Sequence, residues 1–178
     1  AEAIALIERA GEAPSLTNVA ASVGYAPHHF QRLFKRATGI SPAAYARGLK
    51  ARRVADALQE EGKVTDAVYA AGYGAPSRFY ADGAKRLGMA PGAWVGGGAG
   101  VSICWTLAPT SLGPLLVAAT DKGLCRIAFD EDEGALRARF PHAEIAPADQ
   151  ALADLAADVV ALVEGPDRNR DLPLDVRG

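Results

Sequence analysis

The chain has 178 residues, 49% hydrophobic and 22% charged, with a net charge of −2; this is the composition of a folded protein with one large domain or two small ones, not of a disordered chain. Residues 1–98 carry 12 Lys and Arg against 8 Asp and Glu, and residues 99–178 carry 7 against 13, so only the first half suits a polyanionic partner. No run of about 18 apolar residues is present to span a membrane, and two cysteines exclude a disulfide framework or a four-cysteine zinc site.

The opening AEAIALIERAGEA is acidic and helical in spacing, unlike a secretory signal, and without an initiator Met the chain reads as cut from something longer. Ala3, Ile4, Leu6, Ile7 and Ala10 form a first helical stripe, ended by Gly11 and Pro14. Leu16, Val19, Ala20 and Val23 form a second, ended by Gly24, and Phe30, Leu33, Phe34 and Ala37 a third, ended by Gly39. Pro42 then opens a long helix reaching Glu61 and stopped by Gly62. The glycine-rich stretch from Trp94 to Gly100 favours neither helix nor strand and divides the chain into expected domains 1–98 and 99–178.

Beyond the glycines the period changes to that of strands. Val101, Ile103, Trp105 and Leu107 alternate with polar or small residues, and Leu115–Ala119 and Leu124–Phe129 flank Thr120-Asp121-Lys122-Gly123 as a hairpin. A short helix is expected from Ala135 to Phe140, a longer one from Pro147 to Glu164, and a last edge strand through Leu172, Leu174 and Val176. Cys104 and Cys125 fall in strand-like runs, as small buried thiols that point to a reducing, cytoplasmic setting.

The first half repeats itself. Thr17 and Gly24-Tyr25 recur as Thr65 and Gly72-Tyr73; then Phe30 matches Phe79, Gly39-Ile40 matches Gly88-Met89, Pro42 matches Pro91, and Tyr45 matches Trp94. Each copy reads helix, glycine turn, helix, glycine, the pattern of a helix-turn-helix whose second helix enters the major groove. A connecting helix of about 20 residues spans about 30 Å, close to the 34 Å turn of B-DNA, so one monomer can reach successive grooves. Between the apolar positions of the third stripe lie His28, His29, Gln31, Arg32, Lys35 and Arg36. Arg can bridge guanine O6 and N7, Gln can pair with adenine, and Lys or Arg neutralises phosphates. The bland alternative is a solvated basic face. Adjacent His28 and His29 diverge on a helix and make a poor metal pair; no metal or cofactor is expected.

These residues carry a resemblance. Ala26-Pro27-His28-His29-Phe30-Gln31-Arg32-Leu33-Phe34-Lys35, with Gly39-Ile40-Ser41-Pro42, resembles the first recognition helix of the AraC family of transcription activators. Leu112-Gly113-Pro114-Leu115, Lys122-Gly123-Leu124-Cys125-Arg126-Ile127, Arg139-Phe140-Pro141 and Leu172-Pro173-Leu174-Asp175-Val176-Arg177-Gly178 extend it to the Ada family, whose regulator is fused to an alkylguanine-DNA methyltransferase. The resemblance implies an all-α AraC-type double helix-turn-helix domain followed by a small α+β, ribonuclease-H-like domain. It also implies regulation of the response to DNA alkylation, duplex DNA and RNA polymerase as partners, and a monomer on DNA.

Two departures matter. Positions matching the family's Arg-x-Phe-Lys core are Ala81, Asp82, Gly83 and Ala84, so the second unit is expected to hold the backbone, through Ser77 and Arg78, more than it reads bases. The family's Pro-Cys-His-Arg acceptor motif and its four-cysteine zinc sensor are absent from this sequence, which argues against an enzyme here even though the resemblance implies a methyltransferase parent. Three alternatives stand beside the regulator. One is a suicide methyltransferase using Cys104 or Cys125, although neither has a nearby activating His. The others are a nuclease built on Asp121, Asp130 and Asp132, which fall where a turn or helix start needs them, and a regulator whose second half binds a ligand or partner.

Overall fold

A computed structural model describes residues 2–10, 14–60, 62–82 and 84–165. Helices α1 (Glu2–Arg9), α2 (Leu16–Ser22) and α3 (Pro27–Thr38) lead into the long α4 (Pro42–Glu60). Next come α5 (Val64–Ala70), α6 (Pro76–Asp82), a 3-10 turn (Ala84–Leu87) and α7 (Pro91–Val95). Strands β1 (Ser102–Thr110), β2 (Gly113–Thr120) and β3 (Gly123–Phe129), helix α8 (Glu133–Arg139), strand β4 (Glu144–Pro147) and helix α9 (Gln150–Glu164) complete the described chain.

The repeat appears as two helical hairpins on one axle. Tyr45, Ala46 and Leu49, early in α4, pack against Ile7, Val19, Ala20, Phe30 and Phe34. Val54, Ala57 and Leu58, later in α4, pack against Ala67, Val68, Phe79 and Leu87. Each hairpin turns at a glycine with positive φ, Gly24 at 75° and Gly72 at 80°, a conformation open to glycine at little cost. Tyr45 donates a 2.7 Å hydrogen bond to Glu8, tying α4 to α1, and the bond to that carboxylate raises the Tyr45 pKa.

The sheet runs β3-β2-β1-β4, antiparallel except for the parallel β1–β4 pair. Its central strand β2 is buried on both faces. Leu115, Val117 and Ala119 meet Leu152, Leu155, Ala156 and Val159 of α9. Leu116 and Ala118 face the other way and join Ile103, Cys125, Leu136 and Phe140 in the same cluster as α4, α5 and α7. The second helical hairpin and the sheet therefore share one core across the glycine-rich stretch.

That stretch is docked. Trp94 and Val95, expected in the linker, belong to α7 because Pro91 starts the helix as Pro42 starts α4. Trp94 is buried, donates through Nε1 to the Leu87 carbonyl at 2.9 Å, and meets Phe140 edge to face at 4.9 Å. The His142 amide donates to the Gly97 carbonyl and the Glu144 amide to the Val101 carbonyl. Gly88, at φ 64°, lies against the Leu124 carbonyl where a Cβ would collide, and buried Thr120 donates to the Gly88 carbonyl.

Two boundaries in the second half differ from expectation. Pro147 ends a strand; α9 begins at Gln150, where the Asp149 carboxylate accepts from the Leu152 amide at 2.8 Å and caps it. Residues 144–147 form β4 beside β1, pairing Ile103 with Ile145. The expected edge strand at Leu172, Leu174 and Val176 lies outside the described residues.

Candidate nucleic-acid interface

Helix α3 begins with Pro27 at its first turn and ends at Gly39, whose amide donates to the Lys35 carbonyl. Phe30 and Phe34 are buried, so the opposite face is fixed outward. At about 100° per residue, His28, Arg32, Lys35 and Arg36 share that outward face, with Arg32 almost diametrically opposite the phenylalanines. All four side chains are exposed. His29 lies to one side, its ring 5.4 Å from that of Tyr25. Gln31 lies to the other and lines a crevice of about 240 Å³ with Arg47 and Lys50 of α4. Of the two candidate base readers, Arg32 is central on this face and Gln31 sits at its rim.

The second unit is built alike but dressed differently. Buried Phe79 anchors α6, leaving Ser77, Arg78, Tyr80 and Ala81 exposed. Tyr73 and Phe79 meet edge to face at 5.6 Å, and Lys50 reaches from α4 to donate to the Gly72 carbonyl at 2.8 Å, its Nζ 3.9 Å above the Tyr73 ring. Ser77 and Arg78 are therefore brought onto one helix, and the α3 set onto another. Helix α4, 19 residues and about 28 Å long, joins the two units.

Sequence reasoning passed over Arg47, Tyr80 and Lys85, all exposed. The repeat itself could have found two of them, since Tyr80 occupies the Gln31 position and Lys85 the Arg36 position. No periodicity marks Arg47, whose place at the rim depends on how α3 packs on α4.

The cations divide by what they touch. Arg52, Arg126, Arg137 and Arg139 are in ion pairs, with Asp56, Glu131, Glu133 and Asp56 respectively. Arg9 and Arg53 donate to backbone carbonyls. Among the described residues, none pairs with Arg32, Lys35, Arg36 or Arg78. The hydrogen bond between Arg126 and Glu131 raises the arginine and lowers the carboxylate, whereas burial beside Trp94 lowers Arg139.

Comparison with known proteins fits this geometry. Residues 7–96, just over half the chain, match a family model described as a helix-turn-helix domain. The chain belongs to the AraC-type helix-turn-helix family. In this helix-turn-helix protein, residues 103–176 match a second model, the ribonuclease-like domain of 6-O-methylguanine DNA methyltransferase. The bifunctional transcriptional activator/DNA repair enzyme Ada of Escherichia coli (strain K12) is 34% identical over 168 residues, covering 92% of this chain and 48% of that protein. The regulatory protein ada of Salmonella typhimurium (strain LT2) matches with the same identity and coverage. The chain thus spans about half the length of these relatives. No solved structure matches it.

The thiols and carboxylates of the second half have structural employment. Cys125 is buried in β3, its Sγ 3.5 Å from the Ala118 carbonyl, and burial pushes its pKa up to about 12. Cys104 is half-buried in β1. Asp132 caps α8 by accepting from the Ala135 amide at 2.9 Å, and Asp130 sits in the turn at φ 57°. Among the described residues, no three His, Cys, Asp or Glu side chains are grouped to hold a metal, and no helix is long and apolar enough to cross a membrane.

Proposed function

We propose that the helix-turn-helix protein binds duplex DNA as a monomer, α3 and α6 entering successive major grooves on one face of the double helix. Arg32 reads guanine from the centre of α3, with Gln31 at its edge available to adenine. His28, His29, Lys35 and Arg36 flank it, and Arg78 with Ser77 holds the backbone through α6. The observation that carries this reading is the clustering of cations: Arg32, Lys35 and Arg36 stand together on the exposed face of α3 with no ion-pair partner among the described residues, whereas Arg52, Arg126, Arg137 and Arg139 are paired with carboxylates. Basic side chains held out on a buried phenylalanine spine are what a phosphate backbone would neutralise.

The relatives named above, a transcriptional activator/DNA repair enzyme and a regulatory protein, support a role in regulating transcription, and the methyltransferase-domain match supports a link to DNA alkylation; we propose RNA polymerase as the partner and the cytoplasm as the setting. Residues 1–98 form the DNA-binding domain. Residues 99–178 are the non-catalytic lead-in of a methyltransferase. What supports the last point for Cys125 is that a methyl acceptor must be a reachable thiolate, and Cys125 is buried with its pKa raised; for Cys104 it is the lack of a neighbouring activating His in the sequence.

Titration with labelled duplexes drawn from a random pool tests the binding reading. One protein should occupy each minimal site, and the affinity should fall with log salt at a slope of about −3 if Lys35, Arg36 and Arg78 each neutralise a phosphate and displace its counterion. Salt-independent binding, or two proteins per minimal site, overturns it.

A further inference from the structure

The two outward faces invite a comparison that the repeat makes residue by residue. In α3, His28 and Arg32 lie two positions either side of buried Phe30; in α6, Ser77 and Ala81 stand in the same relation to Phe79, which is 0% exposed. Ser77 and Ala81 therefore occupy the centre of the outward face of α6. On one flank is Arg78. On the other is Tyr80, 53% exposed, with its ring 5.2 Å from that of Phe79. The tyrosine is thus propped on a fixed ring and presented outward, in the place where α3 presents Gln31.

This face cannot read guanine or adenine as α3 does. Bidentate recognition of guanine needs an Arg or Lys at the centre, and that of adenine needs an Asn or Gln; α6 offers a methyl, a short hydroxyl and an aromatic ring. One base of the major groove presents an apolar group, the C5-methyl of thymine, and small or aromatic side chains are its natural contacts. Small residues at the centre also let the helix axis approach the base edges more closely than Arg32 allows in the first unit.

We infer that α6 reads thymine, with Ala81 and Tyr80 as the specificity-determining residues packing against thymine methyl groups, while Arg78 holds the adjoining phosphate. The two units then read different alphabets: a charged first half-site and an apolar second one. The inference rests on the proposed docking of α6 in a major groove, and its test separates the two.

Duplexes selected from a random pool by the full chain should contain two blocks about one helical turn apart. The block lost on Arg32→Ala belongs to α3, and the surviving block belongs to α6. Replacing thymine with deoxyuridine in the surviving block removes only the methyl group. Each such change should weaken binding about fourfold, whereas the same change in the α3 block should leave affinity within error. Tyr80→Ala should erase the difference between thymine and deoxyuridine at one step of the block and leave it at the step that Ala81 contacts. Ala81→Arg, an exposed substitution, should move the preferred base at its step from thymine to guanine. Unchanged affinity for deoxyuridine duplexes, or a surviving block composed of G·C pairs, overturns this inference while leaving DNA binding intact. Failure to select any sequence overturns the docking reading, and this one with it.

Discussion

Replacing Phe140 with alanine asks whether the second helical hairpin and the sheet are energetically one unit. Phe140 closes α8, is 1% exposed, and sits edge to face on Trp94 of α7 in a cluster that includes Val68 of α5 and Leu116 of β2. Removing a buried phenylalanine ring costs about 3–5 kcal/mol. At 1.4 kcal/mol per tenfold, amides that exchange only when this core opens should lose about two to three and a half powers of ten in protection. Hydrogen exchange read by mass spectrometry or NMR resolves where the loss falls. Helices α4, α5 and α7 should lose protection together with β2, although Phe140 lies far along the chain from them. Helices α2 and α3 pack in their own cluster around Val19, Phe30 and Phe34 and should lose less. If β2 responds while α5 keeps its protection, the shared core is a surface of contact without cooperativity, and the reasoning fails.

Three other consequences follow from named groups. With native protein at pH 8, iodoacetamide should label Cys104 and spare Cys125 until the chain unfolds, and incubation with methylated-guanine DNA should leave both thiols without an added methyl group, as read by mass spectrometry. Because the Cys125 pKa is raised from 9.0 to about 12 in the fold, its contribution to stability is intact below pH 9 and shrinks as pH rises. Wild type should therefore lose about 1.4 kcal/mol per pH unit relative to Cys125→Ala between about pH 9 and 12, and parallel denaturation curves for the two would refute the assignment. Asp149→Ala removes the cap that accepts from the Leu152 amide and should cost about 1 kcal/mol in urea melts; an unchanged midpoint would mean that the end of α9 finds water as good a partner.

Much of the fold is legible in the sequence because it is written in local period and punctuation. Phe30 and Phe34 at helical spacing, the glycines at 24, 39 and 72, and the prolines at 42 and 91 mark elements whose causes lie within a few residues. The hairpin at Asp121-Lys122 is as local. What escaped depends on pairing at a distance. Strand β4 is four residues with one half-buried side chain, Ile145, and becomes a strand only because β1 offers a free edge. The glycines after Val95 carry the composition of a linker, and nothing in them discloses that Trp94 is held by Leu87 and Phe140 on either side. The outward face of α3 was readable from the repeat and its charges. On α6 charge marks only Arg78; Tyr80, at the Gln31 position, is uncharged, and its outward place shows only once Phe79 is seen to be buried.

The most direct test of the account is a pair of salt-dependent binding isotherms, on a selected site and on its scrambled sequence, for wild type, Arg32→Ala and Arg78→Ala. Arg32 is central on the outward face of α3 and can form a bidentate pair with guanine, a contact worth about 1–3 kcal/mol of discrimination. Arg32→Ala should remove the part of the preference for the selected site that the α3 block carries, leaving only the part carried by the α6 block. Arg78→Ala should weaken both to a similar degree and flatten the salt slope by about one unit. If Arg32→Ala instead lowers affinity equally for every sequence, α3 is a phosphate clamp and the base-reading role assigned to it is wrong.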